Sequence, residues 1–293
     1  MDRKASSVSE WSMVDPDFAE LLKEVSRNTA NVFMGPWSVD IVDVEGPGFR
    51  VAYEGSGKLG MAAAVPVAED GYFLTVAHAV ETAERLTLVA WVEDKDFSGP
   101  RQATPRVVWA PGRGRDPDIA LLHADLAPVQ AFEMADMPYL TQPVGVTGSS
   151  AMMRLAIHRG TESQLTRFSS VAIGRVSKVG KARGGRQGPT YRLVRHSAPT
   201  VHGDSGGALV DEQGSLLGIN STVHPPSWLG WIPYVGVRMS AAIDGVSFQS
   251  QAIRPDDAWL RNLIEADRRR IGLRGDEADG RNVIDATIDA STG

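Results

Sequence analysis

Ser205 lies in a glycine-rich stretch, residues 203–207 with the sequence GDSGG, whose composition suits a nucleophile. A serine between small residues can expose its hydroxyl, and glycines let a substrate carbonyl approach backbone N–H groups closely. A seryl hydroxyl is a weak nucleophile unless a base takes its proton, and neutral histidine has a pKa suited to that task. The stretch predicts acyl transfer if a base and an acid lie elsewhere in the chain. A glycine-rich turn between strands is the alternative.

His78 is the candidate base among the six histidines, because it ends the strongly apolar strand pattern of residues 72–77. Asp118 is the candidate acid, since it precedes the apolar run of residues 119–122. A carboxylate buried there would fix the histidine tautomer and stabilise the imidazolium. Asp116 is a weaker candidate acid, further from that run. Each residue alone has a structural explanation, but together they predict a His78–Asp118–Ser205 triad.

The elements that must position these residues have the pattern of an all-β protein, with short apolar or alternating segments separated by Gly, Pro, Asp or Ser. The predicted strands cover residues 30–44, 48–54, 60–67, 72–77, 85–92, 105–110 and 119–124, followed by 143–147, 169–179, 190–196, 207–211, 215–222 and 233–238. The stretch 125–142 contains several prolines and is interpreted as the crossing between two barrels. The site would then lie in the cleft between them.

Helices are predicted at both ends of the chain. Asp15-Pro16 provides a helix start before Phe18, Leu21, Leu22 and Val25, which share one face. A second helix is predicted from Pro255 to Ile271, with acids at its start and arginines at its end, as the helix dipole favours. We therefore expect a flexible tail over 1–14, a helix and first barrel over 15–140, a second barrel over 141–250, a helical segment over 251–272 and a disordered tail over 273–293.

Three segments, LTVAHAV, DIALL and GDSGGALV, resemble in this order the histidine, aspartate and serine segments of the chymotrypsin-like serine proteases. The resemblance runs from about Asp17 to Val246. It implies two six-stranded antiparallel β-barrels and peptide hydrolysis by His78, Asp118 and Ser205, with the N–H groups of Gly203 and Ser205 as the oxyanion hole.

Other segments, FAELLKEVSRNTANVFM, DGYFLTVAHAV and GSLLGINST, resemble the HtrA/Deg branch more than the digestive enzymes. The chain departs from that branch in carrying Asp204, where Asn is usual, and LGMAAAV, where GSGF is usual. No PDZ domain is recognisable after the predicted barrels.

The resemblance also implies where substrate binds. The predicted substrate-binding residues are Pro199, Thr200, His202, Ser221, Thr222 and Val223. The set holds no acid for a Lys or Arg side chain, so we expect a small or medium apolar residue at the cleaved position. The strand 221–223 would pair with the peptide backbone. Trp228, Trp231 and Tyr234 are either substrate contacts or core residues.

Asp204 raises the question of activation. No IVGG-like segment precedes the first strand, so we expect the Asp204 carboxylate to pair with backbone N–H groups, Arg154 or Arg167. Alternatively, residues 149–168 require ordering by substrate or a partner before the oxyanion hole forms.

Composition excludes several other classes of protein. A net charge of -6 and a pI near 5.6 argue against nucleic-acid binding, and no apolar run is long enough to span a membrane. No cofactor is expected, and a metal site at His196 and His202 is disfavoured because ligand spacing is lacking. The absence of cysteine and of a secretory signal pattern favours the cytoplasm.

Three functions stay open at this point. The first is a serine endopeptidase that acts on a protein or peptide substrate. The second is a catalytically silent, peptide-binding module, against which the intact triad argues. The third is a protease that an activating protein partner gates.

Overall fold

The protein, described here from a computed structural model, is built mainly from β-strands. The structure describes residues 16–35, 38–45, 48–54, 60–81, 83–112, 117–127, 129–149, 162–167, 170–184, 189–200, 203–224 and 249–280. The strands are β1 (Ala30–Met34), β2 (Ser38–Glu45), β3 (Gly48–Glu54), β4 (Gly60–Ala68), β5 (Tyr72–Thr75), β6 (Leu86–Glu93), β7 (Ser98–Ala103), β8 (Arg106–Trp109), β9 (Ala120–His123), β10 (Pro143–Gly148), β11 (Glu162–Arg167), β12 (Ser170–Arg183), β13 (Thr190–His196), β14 (Ala208–Val210), β15 (Leu216–His224) and β16 (Gln249–Pro255). The helices are α1 (Pro16–Asn28), α2 (Ala77–Val80) and α3 (Asp257–Gly280).

The first half of the molecule is a curled antiparallel sheet of seven strands in the order β7-β6-β1-β4-β5-β9-β8. Its central strands are apolar on both faces: all four residues of β5 are buried, as are Ala62, Ala63 and Ala64 of β4. Strands buried on both faces need continuous apolar sequence, which the histidine-bearing segment provides. We refer to this sheet as the first barrel.

The second half is a closed barrel of six antiparallel strands in the order β10-β12-β13-β16-β15-β14. Its interior is filled by small aliphatic side chains, including Val144, Val146, Val194 and Leu209. The predicted pair of antiparallel barrels is therefore confirmed, although the first is a seven-stranded sheet that the described residues do not close. A separate three-stranded sheet in the order β11-β3-β2 covers Phe33 and Val89 of the first barrel.

The two longer helices join the barrels. The α1 helix buries Phe18, Leu22 and Val25, and Leu22 lies directly against Gly145 of β10. The α3 helix begins after β16, where Asp256 accepts the Trp259 N–H at 3.0 Å as an N-cap. Its residues Leu260 and Ile264 pack into the core of the first barrel, so α3 connects the second barrel back to the first. No described helix has the length and apolar character needed to cross a membrane.

Several element predictions differ from the structure. Predicted strand 30–44 is two strands, because the chain turns at Gly35, whose φ is 135°. Strands β7, β11 and β16 were not predicted, since their sequences are polar or interrupted by proline. Predicted strand 233–238 lies outside the described residues.

The predicted segment limits near the C-terminus also differ. β16 continues to Pro255, past the limit predicted for the second barrel, and α3 begins at Asp257. The helix ends at Gly280 and not at residue 272, since it continues through Gly272 and Gly275. β12 is also longer than the predicted strand 169–179 and continues to Arg183, as Gly180 pairs with Leu193.

Candidate active site

The pairing of β5 with β9 brings His78 and Asp118 together. Thr75 at the end of β5 lies opposite Ala120 at the start of β9. Because the two strands are antiparallel, the residues that follow Thr75 run beside the residues that precede Ala120. His78 in the short helix α2 is thereby placed against Asp118. Asp116, the weaker candidate acid, lies outside the described residues.

The Asp118 carboxylate holds His78 at two points. The His78 backbone N–H donates to Oδ1 at 2.9 Å, and the ring Nδ1–H donates to Oδ2 at 2.9 Å. The two bonds fix both the position of the residue and the orientation of its ring. With Nδ1 engaged, Nε2 is the ring nitrogen left to accept a proton. The His78 side chain is 53% exposed and that of Asp118 23% exposed, as suits a base that faces a cleft.

The pair shifts the pKa of both groups. The hydrogen bond from the His78 ring to Asp118 raises the pKa of His78 above 6.5, and burial opposes this only in part. Burial alone would raise the pKa of Asp118, but hydrogen bonds from His78 and Ser221 outweigh it and lower that pKa below 3.8. Asp118 is therefore ionised at neutral pH and stabilises a protonated His78.

Ser205 lies in a tight turn that its backbone anchors to both barrels. The Ala63 N–H of β4 donates to the Ser205 carbonyl at 2.7 Å, and the Gly206 N–H donates to the Asn220 carbonyl at 2.7 Å. Gly203 and Gly206 have φ angles of 101° and 83°, which only glycine adopts readily. A Cβ at Gly206 would overlap the Ala63 carbonyl oxygen. The glycines of the GDSGG sequence are thus required by the turn itself.

The same turn directs the Ser205 N–H outward. The Gly207 N–H donates to the Asp204 carbonyl at 2.9 Å, and in a trans peptide the Ser205 N–H points the opposite way. In the described part of the chain, neither this N–H nor that of Gly203 donates to a protein group. Within that part of the chain both are free to donate a hydrogen bond, which is the property required of an oxyanion hole.

Ser221 links the aspartate to the serine in a way that the sequence did not indicate. Its hydroxyl donates to Asp118 Oδ2 at 2.5 Å, while its carbonyl accepts a long hydrogen bond from the Ser205 hydroxyl at 3.4 Å. The resemblance places Ser221 in the substrate-binding wall, but its side chain is directed to Asp118. Only the tertiary placement of β15 beside Asp118 reveals this contact.

The other predicted substrate-binding residues are described in part. Pro199 is exposed, whereas the buried Thr200 shares a 2.7 Å hydrogen bond with Ser250. The backbone of Thr222 and Val223 belongs to β15, whose pairing with β14 ends at Ile219. No described strand pairs with the β14-facing edge of β15 beyond that point. His202, Trp228, Trp231, Tyr234 and Arg154 lie outside the described residues, as does the side chain of Arg167.

Two buried polar groups lie in the second barrel near this site. Asp204 is buried beneath Gly148, where a Cβ would meet its carboxylate. His196 of β13 is fully buried, and burial lowers its pKa to about 4, so it is neutral at physiological pH. Among the described residues no group of three or more His, Asp or Glu side chains could hold a metal ion.

Comparisons with known proteins agree with this architecture. The chloroplastic protease Do-like 1 of Arabidopsis thaliana is 30% identical over 141 residues, which are 46% of this chain and 28% of that protein. The chain thus spans well under half of that relative's length. The HtrA-type protease AlgW, solved with a decapeptide, superposes with a TM-score of 0.51 at 20% identity, covering 85% of this chain and 67% of that one.

A serine endoprotease from Yersinia pestis gives a TM-score of 0.49 at 18% identity, covering 86% of this chain and 67% of that chain. Structural likeness at such identities shows the fold alone. Family membership follows from the sequence, because the model of the trypsin-like peptidase domain matches residues 59–219, more than half of the 293 residues. The chain belongs to the trypsin-like peptidase family.

Proposed function

We propose that this protein is a serine endopeptidase in which Ser205 is the nucleophile, His78 the general base and Asp118 the residue that orients His78. The observation that carries the proposal is the pair of hydrogen bonds that Asp118 accepts from the backbone N–H and the ring of His78, at 2.9 Å each. This hold leaves Nε2 as the proton acceptor. It also supplies a negative charge beside the imidazolium that forms when Ser205 reacts.

The reaction proceeds in two stages. Ser205 Oγ attacks the peptide carbonyl carbon while His78 Nε2 takes the hydroxyl proton, a contribution of about 10²- to 10⁴-fold in rate. The resulting oxyanion accepts hydrogen bonds from the N–H groups of Gly203 and Ser205. His78 then gives its proton to the leaving amine, and the acyl chain remains as an ester on Ser205. In the second stage, a water deprotonated by His78 attacks the ester and releases Ser205.

Substrate binds as an added strand under this proposal. Asn220 bonds Gly206 and Gly207 on the β14-facing edge of β15, and beyond Ser221 this edge offers its backbone groups to an extended peptide beside Ser205. The described residues 198–200 and 249–250 contain no acid, which supports a small or medium apolar side chain at the cleaved position. AlgW was solved with a decapeptide, which is consistent with an extended peptide ligand for this fold.

The test is intact mass after incubation with a fluorophosphonate, which phosphonylates an activated serine. We expect one adduct on the wild-type protein and none on Ser205→Ala or His78→Ala. Circular dichroism would verify that both variants are folded. An adduct that persists on folded Ser205→Ala would assign the reactivity to another serine. A wild type that never reacts, alone or with partners, would refute the proposal.

A second candidate is a protease that a partner must switch on. It is favoured by the Ser205 hydroxyl, which donates to the Ser221 carbonyl at 3.4 Å and makes no hydrogen bond to His78 within the described residues. In a gated protease, binding of the partner would turn this hydroxyl toward Nε2 of His78. Adduct formation that requires an added protein partner would favour the gated protease.

A further inference from the structure

A buried polar connection runs from the first barrel to the turn that bears Ser205. Ser149, which follows β10, donates its hydroxyl to Asn31 Oδ1 at 2.7 Å, with the Ala62 carbonyl at 3.3 Å. The Ser149 backbone N–H donates to the Gly203 carbonyl at 3.1 Å. Both side chains are buried, with 0% of Ser149 and 1% of Asn31 exposed. The connection therefore ends on a residue assigned to the oxyanion hole.

Gly203 needs such an anchor more than its neighbours do. Having no Cβ, it rotates about φ with little steric restraint, and it is held at a φ of 101°. The carbonyls of Asp204 and Ser205 are bound by Gly207 and Ala63, respectively. In the described part of the chain, the Ser149 N–H is what binds the Gly203 carbonyl. If that bond loosens, Gly203 can turn its own N–H away from the cleft.

Asn31 makes this contact while its own side-chain N–H groups lack a hydrogen-bond acceptor among the described residues. Its Nδ2 is buried without an acceptor among the described residues, so its one side-chain hydrogen bond is the bond from Ser149. An unsatisfied buried amide is destabilising, and an apolar side chain of similar size would avoid the penalty. The presence of Asn31 at this cost indicates that its acceptor oxygen serves something other than stability.

We propose that Asn31 and Ser149 are positioning residues for the oxyanion hole. Asn31 fixes the Ser149 hydroxyl, and this sets the direction of the Ser149 N–H that holds Gly203. The proposal rests on the peptidase function proposed above. It predicts that the first barrel controls the geometry of the second barrel's nucleophile turn through these two side chains.

A neighbouring pair of residues provides a matched control. Thr29 and Thr147 precede Asn31 and Ser149 by two positions each, and their hydroxyls share a 2.6 Å hydrogen bond between the same two segments. Both threonines are fully buried. The hydrogen bond that the Thr147 side chain makes within the described residues is the one to Thr29, and it involves neither Gly203 nor Ser205. Thr147→Val therefore removes a comparable buried bond without touching the oxyanion hole.

The experiment measures the rate constant and the affinity of fluorophosphonate labelling separately, together with the midpoint of thermal unfolding. For Ser149→Ala and Asn31→Leu we expect a labelling rate constant about tenfold lower, because the oxyanion donor is misplaced, with the probe's affinity unchanged. Asn31→Leu should do so with little loss of stability, since it removes an unsatisfied amide. Thr147→Val should lower the unfolding midpoint and leave the labelling rate within about twofold of wild type.

The possible outcomes separate this inference from the proposed function. An unreactive wild type would refute the peptidase and this inference with it. A reactive wild type whose Asn31→Leu and Ser149→Ala variants label at the wild-type rate would refute the inference alone. If Thr147→Val slowed labelling as much as Ser149→Ala does, the role of Ser149 would be structural only, and the inference would fail. If Ser149→Ala does not fold, the nearly isosteric Ser149→Cys, with its weaker donor, serves in its place and should label slowly.

Discussion

The two barrels hold their parts of the site by different kinds of bond. In the first barrel, the charged side chain of Asp118 positions His78 through two hydrogen bonds, and Ser221 of the second barrel donates a further bond to that carboxylate. In the second barrel, the turn around Ser205 is held by peptide groups and by glycines with positive φ. The first arrangement depends on protonation. The second depends on the absence of side chains, so pH and steric substitution should affect the two halves separately.

The largest effect that follows from this comparison is expected from Asp118→Asn. The amide removes the charge that stabilises protonated His78 and favours the wrong tautomer, so fluorophosphonate labelling should slow by about 10³- to 10⁴-fold. The pH profile should move as well. His78 acts as a base in its neutral form, so the rate falls as pH drops through its pKa, which Asp118 raises above 6.5.

The residual rate of Asp118→Asn should therefore fall off at a lower pH than the wild-type rate, because the cause of the raised pKa is gone. Labelling rates between about pH 5 and 9 measure this shift. The control is Asp94→Asn, which alters an exposed turn between β6 and β7 and should leave the profile unchanged. An acid limb at the same pH in both wild type and Asp118→Asn would assign that limb to another group.

The second largest effect is expected from Gly206→Ala, which distorts the second barrel's turn where it contacts β4 and β5 of the first barrel. Its Cβ would meet the Ala63 carbonyl oxygen and would lie 2.6 Å from Thr75 Oγ1, at a φ of 83°. We expect labelling to slow about 100-fold or more and the free energy of unfolding to fall by about 2–4 kcal/mol. The ratio of the variant's labelling rate to the wild-type rate and the loss of unfolding free energy should each stay constant between about pH 6 and 8, because no titratable group changes.

Gly180→Ala is the matched control, because a Cβ at Gly180 in β12 meets nothing within 4 Å. Its unfolding free energy should stay within about 0.5 kcal/mol of wild type. Denaturant titration and the labelling rate test both variants. A Gly206→Ala protein with wild-type stability and reactivity would show that the turn relaxes, and the comparison between the barrels would fail.

The smallest effect concerns the contact of α3 with the first barrel. Asp267 is 3% exposed and accepts hydrogen bonds from the Tyr72 hydroxyl at 2.9 Å and from Arg106. Asp267→Asn should lower the free energy of unfolding by about 2 kcal/mol, the value of charged hydrogen bonds. Arg268→Gln, which breaks an ion pair whose side chains are 48% and 46% exposed, should cost less than about 1 kcal/mol.

This contribution has a defined dependence on pH. Burial opposes ionisation of Asp267, but hydrogen bonds from Arg106 and Tyr72 outweigh it and lower its pKa below 3.8. Stability from this group is therefore present above the unfolded value of about 3.9 and is lost as pH falls through the lowered folded value. Denaturation at pH 7 and pH 3 measures the loss. Equal effects of Asp267→Asn at both pH values would contradict it.

The fold class could be predicted from the sequence, because short apolar runs identify buried strands. Two of the proposed site residues, His78 and Asp118, lie at the ends of such runs, and Ser205 was selected from its glycine-rich stretch. β16 escaped prediction because the sequence QSQAIRP has no apolar run and its proline suggested a helix start. The contacts of Ser221 with Asp118 and of Ser149 with Gly203 also escaped. They depend on which strands become neighbours, and local pattern carries no such information.

The attachment of α3 also has a consequence for the order in which the protein is completed during synthesis. Tyr72 lies in β5, beside the segment that carries His78, yet the acceptor of its hydroxyl, Asp267, lies 195 positions later in the chain. The Tyr72 hydroxyl can donate its hydrogen bond, and α3 can cover the first barrel, only after residue 267 has left the ribosome. Domains made early in a chain usually fold as they emerge. Here the first barrel receives part of its core and the Arg106–Asp267 ion pair from a helix that is made after both barrels.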